Sequence, residues 1–60
     1  MKKLKQIREK KAISQPMLAN LMGVSQQTIS YWENGTYFPR ADKLTHIAQI
    51  LDCSVDELLK

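Results

Sequence analysis

Between residues 15 and 34 the chain reads QPMLANLMGVSQQTISYWEN, and its apolar positions recur at helical spacing. Leu18, Ala19 and Met22 fall at i, i+1 and i+4 on one side of a helix over 15–22. Ile29 and Trp32, three apart, mark the inner side of a second helix over 26–34. Between them Met22-Gly23-Val24-Ser25 predicts a tight turn, with Gly23 left-handed and Ser25 capping the helix that follows. Ala19 is small where the two helices must cross closely. Two short amphipathic helices cannot bury enough surface alone, so the flanking segments must cover them.

Those segments carry stripes of their own. Residues 2–11 predict a first helix, with Leu4, Ile7 and the stem of Lys11 at i, i+3 and i+7. Arg8 lies on or beside that stripe and needs a partner if buried; Glu33, the only acid of the central stretch, is the candidate. The alternative is two solvated side chains that never meet. Ile13 is expected to dip into the core, Ser14 to cap the second helix, and Pro16 to sit harmlessly in its first turn. Gly35 stops the third helix, Phe38 is expected to fold onto the core, and Tyr37 is left free for a phosphate or a second subunit. A fourth helix over 41–51 shows the stripe Leu44, Ile47, Ala48, Leu51, with His46 on the opposite, solvated side. A fifth, 55–59, opens with a capping box of Ser54 and Glu57, stapled by Cys53 and Leu58. Leu59 is left outside, as a subunit contact or a frayed end. The pattern is all-α, five helices, with a helix-turn-helix at its centre.

Length and charge narrow the function. Sixty residues make one domain, 1–60, near the lower limit for a single core. One cysteine provides neither an internal disulfide nor a metal set, and no apolar run reaches membrane-spanning length, which together predict a cytoplasmic protein. No cofactor, metal or small-molecule ligand is expected. The net charge of +3 is unevenly spread: residues 1–11 carry six basic groups against one acid, 12–39 carry only Glu33, and most acids follow residue 40. A basic arm beside a nearly uncharged motif suits a polyanion approached from one side. The outer face of the third helix holds Gln26, Gln27, Ser30 and Tyr31, with Thr28 at its flank and Asn34 at its end. Amides and hydroxyls both donate and accept, as base edges require. Gln15, at the start of the second helix, is placed to hold a phosphate. Arg40 is a poor N-cap, which suggests that its guanidinium serves a phosphate or a minor groove instead.

These residues resemble the phage repressor/Cro family (XRE, lambda-repressor-like helix-turn-helix proteins). The resemblance runs from about Leu4 to Leu59 and is carried by LKQIREK, ISQPMLANLMGVSQQTISYWENG, Pro39 and LTHIAQILDCSVDELL. It implies a compact five-helix domain whose third helix enters the DNA major groove, as a homodimer on a pseudo-palindrome. Carried over by position, Gln26, Gln27, Ser30 and Tyr31 face bases. Ser25 and Thr28 touch base or backbone, Gln15 and Asn34 hold phosphates, and Arg40 lies over the backbone or minor groove. Lys5 is a further candidate for the backbone. The family likeness also implies the Arg8–Glu33 ion pair. Ala12 and Asp52 depart from a pattern that often has glycine there, and Thr36 from one that often has lysine.

The expectation is a bacterial or phage transcriptional regulator, nucleoid-associated and binding double-stranded DNA, with repression as the expected sense. A recognition helix without arginine predicts an A/T-leaning half-site. The rival is a protein-interaction module, such as an antitoxin or heterodimer partner, with DNA binding secondary. An enzyme is the weakest reading: one histidine, one cysteine and no clustered acids offer no triad or phosphate cradle.

Overall fold

In the computed structural model, which describes residues 1–60, the chain forms α1 (Lys2–Lys10), α2 (Gln15–Met22), α3 (Gln26–Asn34), α4 (Ala41–Leu51) and α5 (Val55–Leu59). Four of the five end in the same way. A residue in the left-handed region turns the chain, and the next N–H reaches back five residues to a helix carbonyl that would otherwise lack a partner. Ile13 thus donates to the Arg8 carbonyl, Val24 to Ala19, Thr36 to Tyr31 and Cys53 to Ala48, at 3.0–3.1 Å. The left-handed residues are Ala12 (φ 59°), Gly23 (71°), Gly35 (87°) and Asp52 (54°). At the two glycines a Cβ would meet nothing within 4 Å, so glycine is required there by φ alone and not by crowding.

The starts are as local as the stops. The Ser14 hydroxyl accepts from the Met17 N–H, and the Ser25 hydroxyl from the Thr28 N–H. At α5 the box is complete: Ser54 Oγ accepts from the Glu57 N–H at 3.0 Å, and a Glu57 carboxylate oxygen accepts from the Ser54 N–H at 3.2 Å. Arg40 precedes α4 without any side-chain cap; its guanidinium lies 3.6 Å from Asp42, both exposed.

One apolar core joins all five helices: Leu4 from α1, Leu18, Ala19 and Met22 from α2, Ile29 and Trp32 from α3, Leu44, Ile47, Ala48 and Leu51 from α4, and Leu58 from α5. α2 packs mainly on α3, α1 on α3 and α5, and α4 on α2 and α5. Ile13, Val55 and Cys53 are half-buried against this core. Burial, aided by the nearby Glu57 carboxylate, pushes the Cys53 thiol up, which keeps it protonated as a small apolar filler. No helix is long and apolar enough to cross a membrane.

Two expectations fail. Phe38 does not enter the core but is 64% exposed, and Pro39 beside it is buried instead. Pro39 stands beside Arg40 at the start of α4, where the chain closes over it, while Phe38 lies one residue further out on the loop. Lys11 contributes no stem to the stripe: α1 stops at Lys10 because Ala12 turns the chain, and Lys11 is exposed.

Two outcomes follow from the helix ends. A left-handed L-residue costs about 1–2 kcal/mol relative to glycine's freedom, partly offset by glycine's larger unfolded-state entropy. Ala12→Gly should therefore raise stability by about 1 kcal/mol in urea denaturation, and Asp52→Gly by less, since Asp tolerates this region better. Hydrogen bonds from the Ser54 backbone and hydroxyl hold the Glu57 carboxyl below the ordinary glutamate value. A depressed carboxylate stabilises the fold above its unfolded pKa, and the contribution is lost as pH falls through the folded one. Glu57→Gln should accordingly be less stable at neutral pH, with the gap closing on acidification below the glutamate range; a gap independent of pH would exclude this linkage.

Candidate nucleic-acid interface

α3 has two unlike faces. Ile29 and Trp32 lock it to the core, and the opposite side presents Gln26 and Gln27 exposed with Thr28, Ser30 and Tyr31 half-exposed. None of these five side chains carries a formal charge. Glu33, the only carboxylate on the helix, is turned inward and spent on Arg8.

That pair fixes how α3 stands. Arg8 is 7% exposed and reaches across three segments. Its Nε donates to Glu33 Oε2 at 2.6 Å, Nη2 to Glu33 Oε1 at 3.3 Å, and Nη1 to the Ile13 carbonyl at 2.8 Å. α1, the α1–α2 turn and the end of α3 are thereby joined through one guanidinium. Gln15 adds a fourth segment, its Nε2 donating to Glu33 Oε1 at 2.8 Å. Every buried side-chain nitrogen and oxygen has a partner. A charge pair removed from water is tolerable only when so completely hydrogen-bonded.

The remaining candidates group around this anchor. Lys5, Gln15, Ser30, Glu33 and Asn34 line one open cleft of about 260 Å³ beside α3. Lys5 brings a positive charge to its edge. Asn34 turns its oxygen away, accepting from the Thr36 N–H at 2.9 Å and the Thr36 hydroxyl at 2.6 Å. Its amide N–H groups make no hydrogen bond within the chain, and the residue is exposed. The Gln15 side chain is less free than its position in the sequence implies: its nitrogen is on Glu33 and its oxygen accepts from Gln26 Nε2 at 3.4 Å. The backbone N–H at the start of α2 is the donor it keeps for an anion. Ser25 and Thr28 face each other, hydroxyl to hydroxyl at 2.9 Å, at the head of α3. Arg40 stands apart from the cleft, exposed at the start of α4. Nowhere do three or more His, Cys, Asp or Glu residues gather as a metal site would need.

One contact escapes a reading of the sequence. Gln27 Nε2 donates to the Tyr31 hydroxyl at 2.7 Å, and the Tyr31 ring meets Tyr37 edge-on, centroids 5.2 Å apart at 76°. Tyr37, still 63% exposed, comes back beside Tyr31 because Gly35 reverses the chain and its own N–H points at the Tyr31 carbonyl, 3.4 Å away. The left-handed Gly35 is the signal that could have revealed it.

With this geometry, residues 4–58 match the helix-turn-helix family. The chain belongs to the XRE-type helix-turn-helix DNA-binding family. Among curated proteins this helix-turn-helix chain is similar to the HTH-type transcriptional activator BcrR of Enterococcus faecalis, 39% identical over 95% of the chain and 28% of the relative. It is similar also to Repressor protein C2 of Salmonella phage P22, 40% identical over 88% of the chain and 24% of that protein. A third relative is the uncharacterized HTH-type transcriptional regulator YqaE of Bacillus subtilis, 35% identical over 95% of the chain and 49% of the relative. The chain thus spans between roughly a quarter and a half of the length of the relatives it matches.

The anchor of this helix-turn-helix can be tested by stability alone. Glu33→Ala leaves the Arg8 charge buried without a counterion and should destabilise by about 3–5 kcal/mol in urea. Replacing both partners together, Arg8→Met with Glu33→Leu, should cost less than Glu33→Ala by itself; the reverse order would show that the pair is not acting as a unit.

Proposed function

We propose that residues 1–60 act as a sequence-specific double-stranded DNA-binding unit of a transcriptional regulator, working in the cytoplasm as a homodimer on a pseudo-palindromic operator. The observation that carries this is the uncharged amide and hydroxyl face of α3, rigidly held by Arg8–Glu33 and flanked by the Lys5–Asn34 cleft. α3 lies in the major groove with Gln26, Gln27, Ser30, Tyr31 and Thr28 toward base edges. Lys5, Ser25, Asn34, Arg40 and the backbone N–H of Gln15 meet phosphates, fixing register without reading sequence. The half-sites lie about one helical turn, roughly 34 Å, apart. Without arginine on the reading face the commonest guanine contact is missing, which favours A·T pairs.

A dimer occupying an operator that overlaps a promoter excludes polymerase, so repression of this kind is steric. The relatives include one named activator and one named repressor, so the sense of regulation follows from where the operator lies. A second reading, a protein-interaction module such as an antitoxin or heterodimer partner, draws on the exposure of Tyr37, Phe38 and Leu59.

Selection from a random duplex library at near-physiological salt tests the choice. The expected product is an A/T-leaning pseudo-palindrome that a Gln26→Ala/Gln27→Ala variant no longer enriches, each lost base contact costing about 1–3 kcal/mol. Lys5→Ala should weaken every sequence alike and reduce the salt slope by about one. No enrichment, together with a stable complex with another protein, would favour the interaction module.

A further inference from the structure

We propose that Tyr31, braced by Tyr37, fixes which end of the Gln27 carboxamide faces the DNA and sets its own O–H beside it, and that this unit selects adenine over guanine at one position of each half-site. The inference rests on the DNA-binding reading above and assigns part of its specificity.

Gln27 and Tyr31 are four residues apart and so share one side of α3. A glutamine at an exposed position ordinarily turns freely and offers either its oxygen or its nitrogen. Here Nε2 is held 2.7 Å from the Tyr31 hydroxyl, which leaves Oε1, the other end of the same planar group, as the free acceptor. The phenol accepts that bond and keeps its own hydrogen to donate. The two side chains therefore display an acceptor, Gln27 Oε1, beside a donor, the Tyr31 O–H.

The display depends on the ring staying in place. Tyr31 is half-buried, and its open flank is closed by Tyr37, which is tied by the edge-on ring contact and by its N–H toward the Tyr31 carbonyl. Edge-to-face pairs favour this arrangement through ring electrostatics and do not need the Tyr37 hydroxyl. The α3–α4 loop thus reaches the reading face through one aromatic contact.

In the major groove adenine offers a donor, N6–H, beside an acceptor, N7, which complements the pair. Guanine offers O6 and N7, both acceptors, and sets O6 against Gln27 Oε1 with no hydrogen between them. An unpaired acceptor in a desolvated contact is the penalty that discriminates.

The test is selection from a random duplex library with the whole chain and five variants: Gln27→Ala, Tyr31→Phe, Tyr37→Phe, Tyr37→Ala and Gln27→Ala/Tyr31→Phe. Gln27→Ala maps the base position concerned. At that position Tyr31→Phe, which keeps the ring and loses only the hydroxyl, should lower the adenine-over-guanine preference about 3- to 10-fold, with other positions unchanged. Tyr37→Ala should lower it in the same place, and Tyr37→Phe should retain it. In the Gln27→Ala background Tyr31→Phe should leave the adenine-over-guanine ratio unchanged, since N7 is an acceptor in both purines. A wild-type site with guanine at the mapped position would overturn the inference, as would a Tyr31→Phe profile identical to wild type or a Tyr31→Phe effect on the adenine-over-guanine ratio that persists without Gln27. Each of these leaves DNA binding standing. A wild-type chain that enriches no sequence overturns the DNA reading and this inference together.

Discussion

The guanidinium of Arg8 is where the structure is decided. Ile29 and Trp32 seat α3 on the core, and the Met1 ammonium donates to the Trp32 carbonyl at 2.9 Å, but neither grips a side chain at the end of the helix. With the guanidinium, the far end of α3 is fixed in rotation as well as position, since Glu33 is gripped by a planar fork whose third branch holds the α1–α2 turn at Ile13. A hydrophobic contact tolerates sliding; a fork of hydrogen bonds does not. For a helix whose outer side chains must meet fixed partners, a few degrees of roll would move each of them by much of an ångström. The costly burial of two charges is understandable as the means of setting that angle.

The backbone of this fold was legible because helix beginnings and ends carry local signatures. Ser14, Ser25 and Ser54 cap the helices that a reading of spacing assigns to them, and Gly23 and Gly35 stop helices where a left-handed residue is needed. The stripe of α4 is buried residue for residue. Errors arose where hydrophobicity alone was the guide. Phe38 is more apolar than Pro39, yet the loop's path decides which of the two is buried, and that path follows from where α4 begins. Lys11 failed for the complementary reason: extending a stripe by one more turn ignored the left-handed Ala12 that ends it.

The candidate site was legible to a lesser depth. The sequence identifies which residues of α3 point outward, because that requires only the position of Ile29 and Trp32. How outward-pointing residues engage one another needs the third dimension. Gln15 is separated from Glu33 by 18 positions, and Tyr37 returns to Tyr31 around a turn, so neither contact has a periodic trace. Both alter what the side chains have left to offer. Gln15 brings to an anion its backbone more than its carboxamide, and Gln27 has one end of its amide already engaged.

The absence of formal charge on the outer face of α3 separates two quantities that many nucleic-acid-binding surfaces mix. Counterions respond to charged groups, and here those groups, Lys5 and Arg40, lie beside the reading face and not upon it. For the DNA reading proposed above, ionic strength then rescales occupancy of all sequences by a common factor. The order in which competing sites fill is set by amides and hydroxyls alone, and it is the same in dilute and in concentrated salt.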